Sequence, residues 1–218
     1  RVAVDEGVLI LQQGRDGYTG TLDTYISAQD PDDNMDREQE LCIRAPDLMS
    51  PLLRFDVSLL PPGVRVITAT LRLYTTGGGG TPIVTATVYS VLRPWQVSEA
   101  TWNQANAGTS WAVPGCNGLG SDRQASPAAS VLVGQMGMWY DFSIADVVQG
   151  WVNSPASNHG LVLKGSCRVE KQYRFASAEY WSTALRPILA IRYSTTAWPT
   201  PTATPTPRAV YVPLVMKK

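Results

Sequence analysis

Two kinds of side chain in this sequence could do chemistry: a run of oxygen donors and a set of aromatic rings. The donors lie in QDPDDNMDREQE, where Asp30, Asp32, Asn34 and Asp36 alternate at positions 1, 3, 5 and 7 of a calcium-loop pattern. Met35 stands where an EF-hand needs glycine, and Leu41 where it needs a bidentate glutamate, so the run is not an EF-hand. Two readings stay open. Either three of these oxygens, with backbone carbonyls, hold a structural calcium ion that staples a loop, or the segment is a solvated acidic loop. The rings are Trp102, Trp111, Trp139, Tyr180 and Trp181. The C–H face of a sugar ring is flat and weakly polar, so an exposed aromatic face makes a platform for it. Trp111 in GTSWAVPG and the pair Tyr180–Trp181 in SAEYWST fall between strand signals, in predicted loops, and are the rings expected to be exposed.

Catalytic chemistry has thinner support. The single histidine, His159, sits in SPASNHGLVL, and no G-x-S-x-G is present, so a Ser-His-Asp arrangement is disfavoured. Asp23, Asp56, Glu99, Asp141 and Asp146 could in principle supply an acid and a base for glycoside hydrolysis. Cys42, Cys116 and Cys167 show no C-x-x-C spacing beside that lone histidine, which argues against zinc. Cys116 (PGCNGLG) and Cys167 (KGSCRVE) both lie in turn-like segments and are the favoured disulfide pair if one forms; three unpaired thiols are the alternative. No cofactor other than the calcium ion is expected.

The elements that must position these residues are strands. The 18 glycines, 16 prolines and many short runs rich in Val, Thr, Tyr and Trp read as all-β with frequent turns. In LLRFDVS, Leu53, Phe55 and Val57 face one side; in VITATLRLYT, Ile67, Ala69, Leu71 and Leu73 do the same. VLILQQ, TYIS, ELCIR, TATVYSVL, WYDFSI, GLVLKG, YRFAS and PILAIRY complete about ten strands of a β-sandwich, with GGGG at 77–80 a hairpin or loop. One segment departs from period two. SIADVVQGWVNS spaces Ile144, Val147, Val148 and Trp151 as i, i+3, i+4, i+7, which predicts a short amphipathic helix over an open end, with Ser143 and Asp146 as a capping box. Lys plus Arg equals Asp plus Glu at 18 each, so nothing steers the chain toward nucleic acid or an anionic membrane. No stretch reaches the roughly 18–20 apolar residues of a membrane span. Arg1 in place of Met reads as a processed chain or an excerpt.

Five segments in order carry a family likeness: QQGRDGYTGTLDTYI, PLLRFDVSLLPPGVRVITATLRLY, VYSVLRPWQVSEATWNQ, WYDFSIADVVQGWVNSPASNHGLVL and YRFASAEYWSTALRPILAIRY. From about Leu11 to Tyr193 the chain resembles secreted DNRLRE-type modules, related to disaggregatase repeats and to a carbohydrate-binding module family. The resemblance implies a jelly-roll β-sandwich, exported, attached to larger cell-surface proteins or enzymes, and not itself catalytic. It also implies that Trp95, Trp102 and Trp151 are structural and that the five carboxylates serve turns and arginines.

Residues 1–194 thus form the sandwich. TTAWPTPTATPTPR breaks with it: residues 195–208 lack the N–H groups for a ladder and predict an extended linker of about 40 Å. Residues 209–218, AVYVPLVMKK, return to strand-forming types. An apolar strand on a rigid spacer needs a groove, which Val210, Tyr211, Val212, Leu214, Val215 and Met216 would find on another copy by donor-strand addition. The leading expectation is an extracellular structural subunit of a head-to-tail filament at the cell surface. The alternative is a secreted carbohydrate-binding module that adheres to extracellular polysaccharide, its tail a sorting or anchoring signal.

Overall fold

The computed structural model describes residues 6–195. The strands are β1 (Glu6–Gln12), β2 (Thr21–Ser27), β3 (Glu40–Ala45), β4 (Met49–Phe55), β5 (Arg65–Gly77) and β6 (Val84–Ser90). They continue with β7 (Gln104–Asn106), β8 (Thr109–Ser110), β9 (Ala129–Val133), β10 (Trp139–Ser143), β11 (Leu161–Ser166), β12 (Lys171–Ala176) and β13 (Ile188–Ser194). A single α-helix among the described residues, α1 (Ala145–Asn153), follows β10 directly.

All main pairings are antiparallel. One layer runs β1–β13–β5–β10. In the other, β2 lies on β4, β4 touches β11, and β11 leads through β6 to β9, while β12 lies on β3. The long β5 belongs to both layers: its first part pairs β13 and β10, and its end pairs β12 at Phe175↔Thr75 and Arg174↔Gly77. The result is a curled all-β sandwich, as the alternation in the strands implies.

Between the layers lies a core drawn from most of the strands, including Ala69, Leu71 and Leu73 of β5, Leu53 and Phe55 of β4, Leu189 and Ile191 of β13, and Tyr173 and Phe175 of β12. Fully burying each large apolar side chain contributes about 1.5–3 kcal/mol. The helix covers one open end, with Ile144, Val148 and Trp151 buried in this core. Its N-cap is Ile144, with no side-chain cap bond. The Ser143–Asp146 capping box is therefore not formed, and backbone pairing of Ile144 N–H with the Ala69 carbonyl takes its place as the tie to β5. Trp151 docking offsets the cost of Gly150 in the helix.

A second core sits outside the β2–β4–β11 sheet. The chain between β6 and β9 folds back over that face, burying Trp95, Ala100, Ala105, Trp111 and Cys116 against Ile26, Leu52 and Val162. Leu52 and Leu53 are adjacent yet both buried, because both faces of β4 are covered. One carboxylate pins this excursion. Asp122 accepts N–H bonds from Ala112 (2.9 Å), Val113 (3.0 Å) and Gly118 (2.9 Å), and one from Arg93 Nε at 2.7 Å. Burial alone would raise its pKa, but these four donors outweigh burial and hold it below the ordinary value. Beneath the excursion, buried Lys164 donates to Asp47 Oδ1 (3.0 Å), Ser50 Oγ (3.2 Å) and the Gly115 carbonyl. Burial lowers its pKa, against the pull of Asp47.

Gly160 shows where a side chain cannot be placed. Its φ is +79°, and a Cβ there would stand 2.2 Å from the Leu53 carbonyl oxygen.

Candidate functional site

The connection from β12 to β13 is irregular but tightly held. Ser177 starts it, donating its hydroxyl to the Glu38 carbonyl at 2.8 Å and accepting the Glu179 N–H at 3.1 Å. The Ala178 N–H reaches across to Asp23 Oδ2 on β2 at 2.8 Å. At the far side, Arg186 donates to the Tyr180 carbonyl (2.8 Å) and to the Gln13 carbonyl (3.2 Å), while Gln12 donates to the Arg186 carbonyl at 3.0 Å. A 3₁₀ turn at Thr183–Leu185 completes it. Both ends of the segment are thus fixed to β1, β2 and the chain before β3.

What this frame presents is a pair of rings. Trp181 is 73 % exposed, the highest value among the exposed large hydrophobic residues. Tyr180 is half-buried, its ring centroid 5.7 Å from that of Trp181 with a 38° angle between the planes. A ring held by a pinned backbone loses little freedom when a flat sugar face settles on it, so the contact retains most of its free energy. Of these two rings, both expected to be exposed, Trp181 is and Tyr180 is partly covered.

A carboxyl pair, Asp23 and Glu179, meets at the start of the same connection. Asp23 is 1 % exposed, and its Oδ1 has no hydrogen-bond donor among the described residues. Burial first, then the neighbouring Glu179 charge, pushes Asp23 well above the usual carboxylate range, with Arg186 opposing; burial raises Glu179 too. Asp23 is buried while Glu179 reaches it from an exposed position, and two carboxyls in contact disfavour both being charged. Asp23 holds the connection through the Ala178 N–H.

Several sequence expectations are corrected. Trp111 is not an exposed ring: it is 3 % exposed, with its indole N–H donated to the Thr101 carbonyl at 2.9 Å. The outer face of β2, β4 and β11 is apolar and needs a cover, and Trp111 belongs to it. Asp30, Asp32, Asn34 and Asp36 of the acidic run each have a protein partner. Among the described residues no group of three or more metal-ligating His, Cys, Asp or Glu side chains occurs. Asn34 donates to the Val97 and Ala100 carbonyls (both 2.8 Å), Asp32 accepts from Asn103 (2.8 Å), and Asp30 meets the Ser27 hydroxyl at 3.4 Å. Asp36 lies 4.0 Å from Arg37. These side chains tie the acidic loop to the excursion and to its own backbone. Cys116 and Cys167 are both free. Cys116 belongs to the outer core and Cys167 packs on the inner one, so they lie on different cores. Burial pushes the Cys116 thiol up to about 12. The assembly residues Val210, Tyr211, Val212, Leu214, Val215 and Met216 lie outside the described residues, as does all of the 195–208 linker except Thr195.

Other residues fall where expected. Trp95 and Trp151 are buried. His159 is half-buried, burial and Arg54 hold its pKa below the ordinary value, and its carbonyl accepts the Trp95 indole N–H at 2.7 Å. Asp56 caps the Ser58 N–H (2.9 Å), Glu99 the Ala107 N–H (2.8 Å), and Asp141 pairs with Arg72 (2.8 Å). What sequence reasoning missed is the Asp23–Glu179 pair and the Asp122 staple. Asp23 reads as an ordinary polar position of an alternating strand, and Asp122 as one more turn residue after GLGS.

No helix among the described residues is long and apolar enough to cross a membrane. No curated protein matches the chain. The family model of carbohydrate-binding module family 96 matches residues 16–193, which spans the β1–β2 turn, both layers, the helix and the Tyr180–Trp181 connection. That match covers most of the sandwich, and the chain belongs to carbohydrate-binding module family 96.

Proposed function

We propose that this module binds extracellular polysaccharide by stacking sugar rings on Tyr180 and Trp181 and carries out no reaction of its own. The observation that carries this reading is the 73 % exposure of Trp181 on a backbone fixed by Arg186, Ser177 and Asp23. An exposed aromatic face offers a flat sugar ring an apolar surface to cover. Membership of a carbohydrate-binding family supports a glycan as that cover. The likeness to DNRLRE-type modules, and with it a place outside the cell at its surface, is part of the same reading and rests on the five ordered segments. The filament reading depends wholly on residues 209–216, outside the described residues, and the family favours polysaccharide adhesion over it.

The test is affinity electrophoresis of wild type and Trp181→Ala through gels holding plant, algal and bacterial polysaccharides. At least one polymer should retard the wild type, and the variant should bind it about tenfold or more weakly, a ~1.4 kcal/mol loss of ring contact. Removing so exposed a side chain should leave thermal unfolding unchanged. Equal retardation of the two proteins would refute the assignment of the site.

A further inference from the structure

We propose a second glycan-binding site, for neutral polysaccharide, in the cleft between the free edges of the two layers. β9 closes one sheet and β10 the other; β9 pairs only with β6 and β10 only with β5 among the described strands. Between them and the start of α1 runs a cleft of about 870 Å³. That volume falls within the usual range for small-ligand sites.

Its lining fits hydroxyl groups. Ser126, Ser130 and Ser143 present donors and acceptors, and Asp141 and Asp146 present carboxylates. No Lys, Arg or His lines it. Arg72 neutralises Asp141 from outside the lining, so the cleft has no lining cation to hold a polyanion and one carboxylate, Asp146, to repel it, while both carboxylates keep oxygens that accept hydrogen bonds from sugar hydroxyls. The charge balance thus selects a neutral chain.

The cleft also has an aromatic margin. Asp141 is bonded to Arg72 at 2.8 Å, and the Arg72 guanidinium lies 5.3 Å from the centre of the Trp139 ring. Trp139 faces Tyr74 across the ladder, edge-on at 5.4 Å and 65°. Trp139, Asp141 and Ser143 alternate along β10, so they share one face and lead from a ring to the cleft at about 6.8 Å per step. Unlike the outer face of the β2–β4–β11 sheet, which the excursion covers, this strip keeps Trp139 and Tyr74 half-exposed. Rings at the mouth and hydroxyl-binding groups within give a chain of sugars both of the contacts it requires.

This site shares the glycan-binding reading but not the Tyr180–Trp181 surface, and the two can fail separately. Isothermal titration uses the hexasaccharides of β-1,4-glucan, β-1,4-mannan, β-1,4-xylan and β-1,3-glucan, with polygalacturonate as the polyanion. At least one neutral hexasaccharide should bind, and Trp139→Ala should weaken it about tenfold or more. Ser126→Trp, a change at an exposed cleft position, should weaken the same ligand by blocking it, which keeps the test valid if Trp139→Ala misfolds. Trp181→Ala should leave that binding intact. No neutral hexasaccharide bound, binding of the polyanion lost in Ser126→Trp, or neutral binding untouched by Ser126→Trp would each overturn the proposal. Loss of neutral binding in Trp181→Ala with none in Ser126→Trp would place the ligand on the first site alone.

Discussion

Replacing Asp122 with alanine should weaken the whole outer core, and the size of the effect can be worked from its four bonds. Asp122→Ala removes the acceptor of the Ala112, Val113 and Gly118 N–H groups and the partner of Arg93. Ala112 and Val113 are exposed residues, so water can replace the lost acceptor for them at modest cost. Gly118 is buried, and an orphaned buried donor costs about 1–3 kcal/mol. Adding the net loss of the Arg93 contact and of two charge-assisted bonds brings the sum to about 3–5 kcal/mol, the range for breaking a buried ion pair. Against a typical total of about 5–15 kcal/mol, that is a large share. Urea unfolding followed by tryptophan fluorescence reads it, because Trp95 and Trp111 both lie in this core. Thermal unfolding should fall by about 10 °C. The folded pKa of Asp122 is depressed, so its stabilisation is present above the unfolded value of about 4 and is lost as pH falls through the folded one. The gap between wild type and variant should therefore be constant near neutrality and close in acid. A loss under about 1 kcal/mol at pH 7, or a gap that widens in acid, would show that the carboxylate does not hold the excursion.

Asp23 should behave in the opposite sense. Its folded pKa is raised, so its contribution is fully present below about pH 4 and is lost as pH rises through the folded value. Asp23→Asn keeps an acceptor for the Ala178 N–H and should be more stable than wild type at pH 7 by about 1 kcal/mol or more, with the advantage vanishing in acid; pH-dependent melting checks both. Trp111→Ala should cost about 3–5 kcal/mol in urea unfolding, as deletion of a buried core ring does, while leaving the affinity of the refolded protein for polysaccharide unchanged. Chelation with EDTA should not shift the melting temperature, since Asp32 and Asn34 are held by protein partners; a drop of several degrees that calcium restores would refute this.

Much of the scaffold can be read from residue types because burial there follows strand alternation. Ala69, Leu71 and Leu73 alternate with polar neighbours, and they are the core face of β5. Ile144, Val148 and Trp151 announce the helix by their spacing, although not its cap. The excursion between β6 and β9 resists such reading. It has little regular structure, so no period marks it, and its shape follows from one buried carboxylate of its own, Asp122, and the apolar face it must cover. That is why Trp111, surrounded by turn residues, looks exposed and is not. Trp181 looks exposed in the same way and is, because the frame around it is built from backbone bonds to Arg186 and Asp23 that leave its ring outside. Local sequence cannot separate the two cases, since the difference lies in whether another sheet stands behind the loop. The Asp23–Glu179 contact is equally hidden, its members lying on β2 and on the β12–β13 connection.

β1 and β13 lie side by side, with Glu6 opposite Ser194 at one end and Gln12 opposite Ile188 at the other. The polypeptide therefore comes in and goes out at a single corner, and the connection that bears Trp181 opens from the opposite end, about 20 Å along the strands. Trp139, across from Tyr74 and one step beyond the Ile188↔Arg72 rung, falls toward that distal end as well. The same layout sets the response to tension: drawing the two ends apart would part β1 from β13 rung by rung, as a zipper opens, so grip on a substrate would be limited by that edge before the inner layers are disturbed.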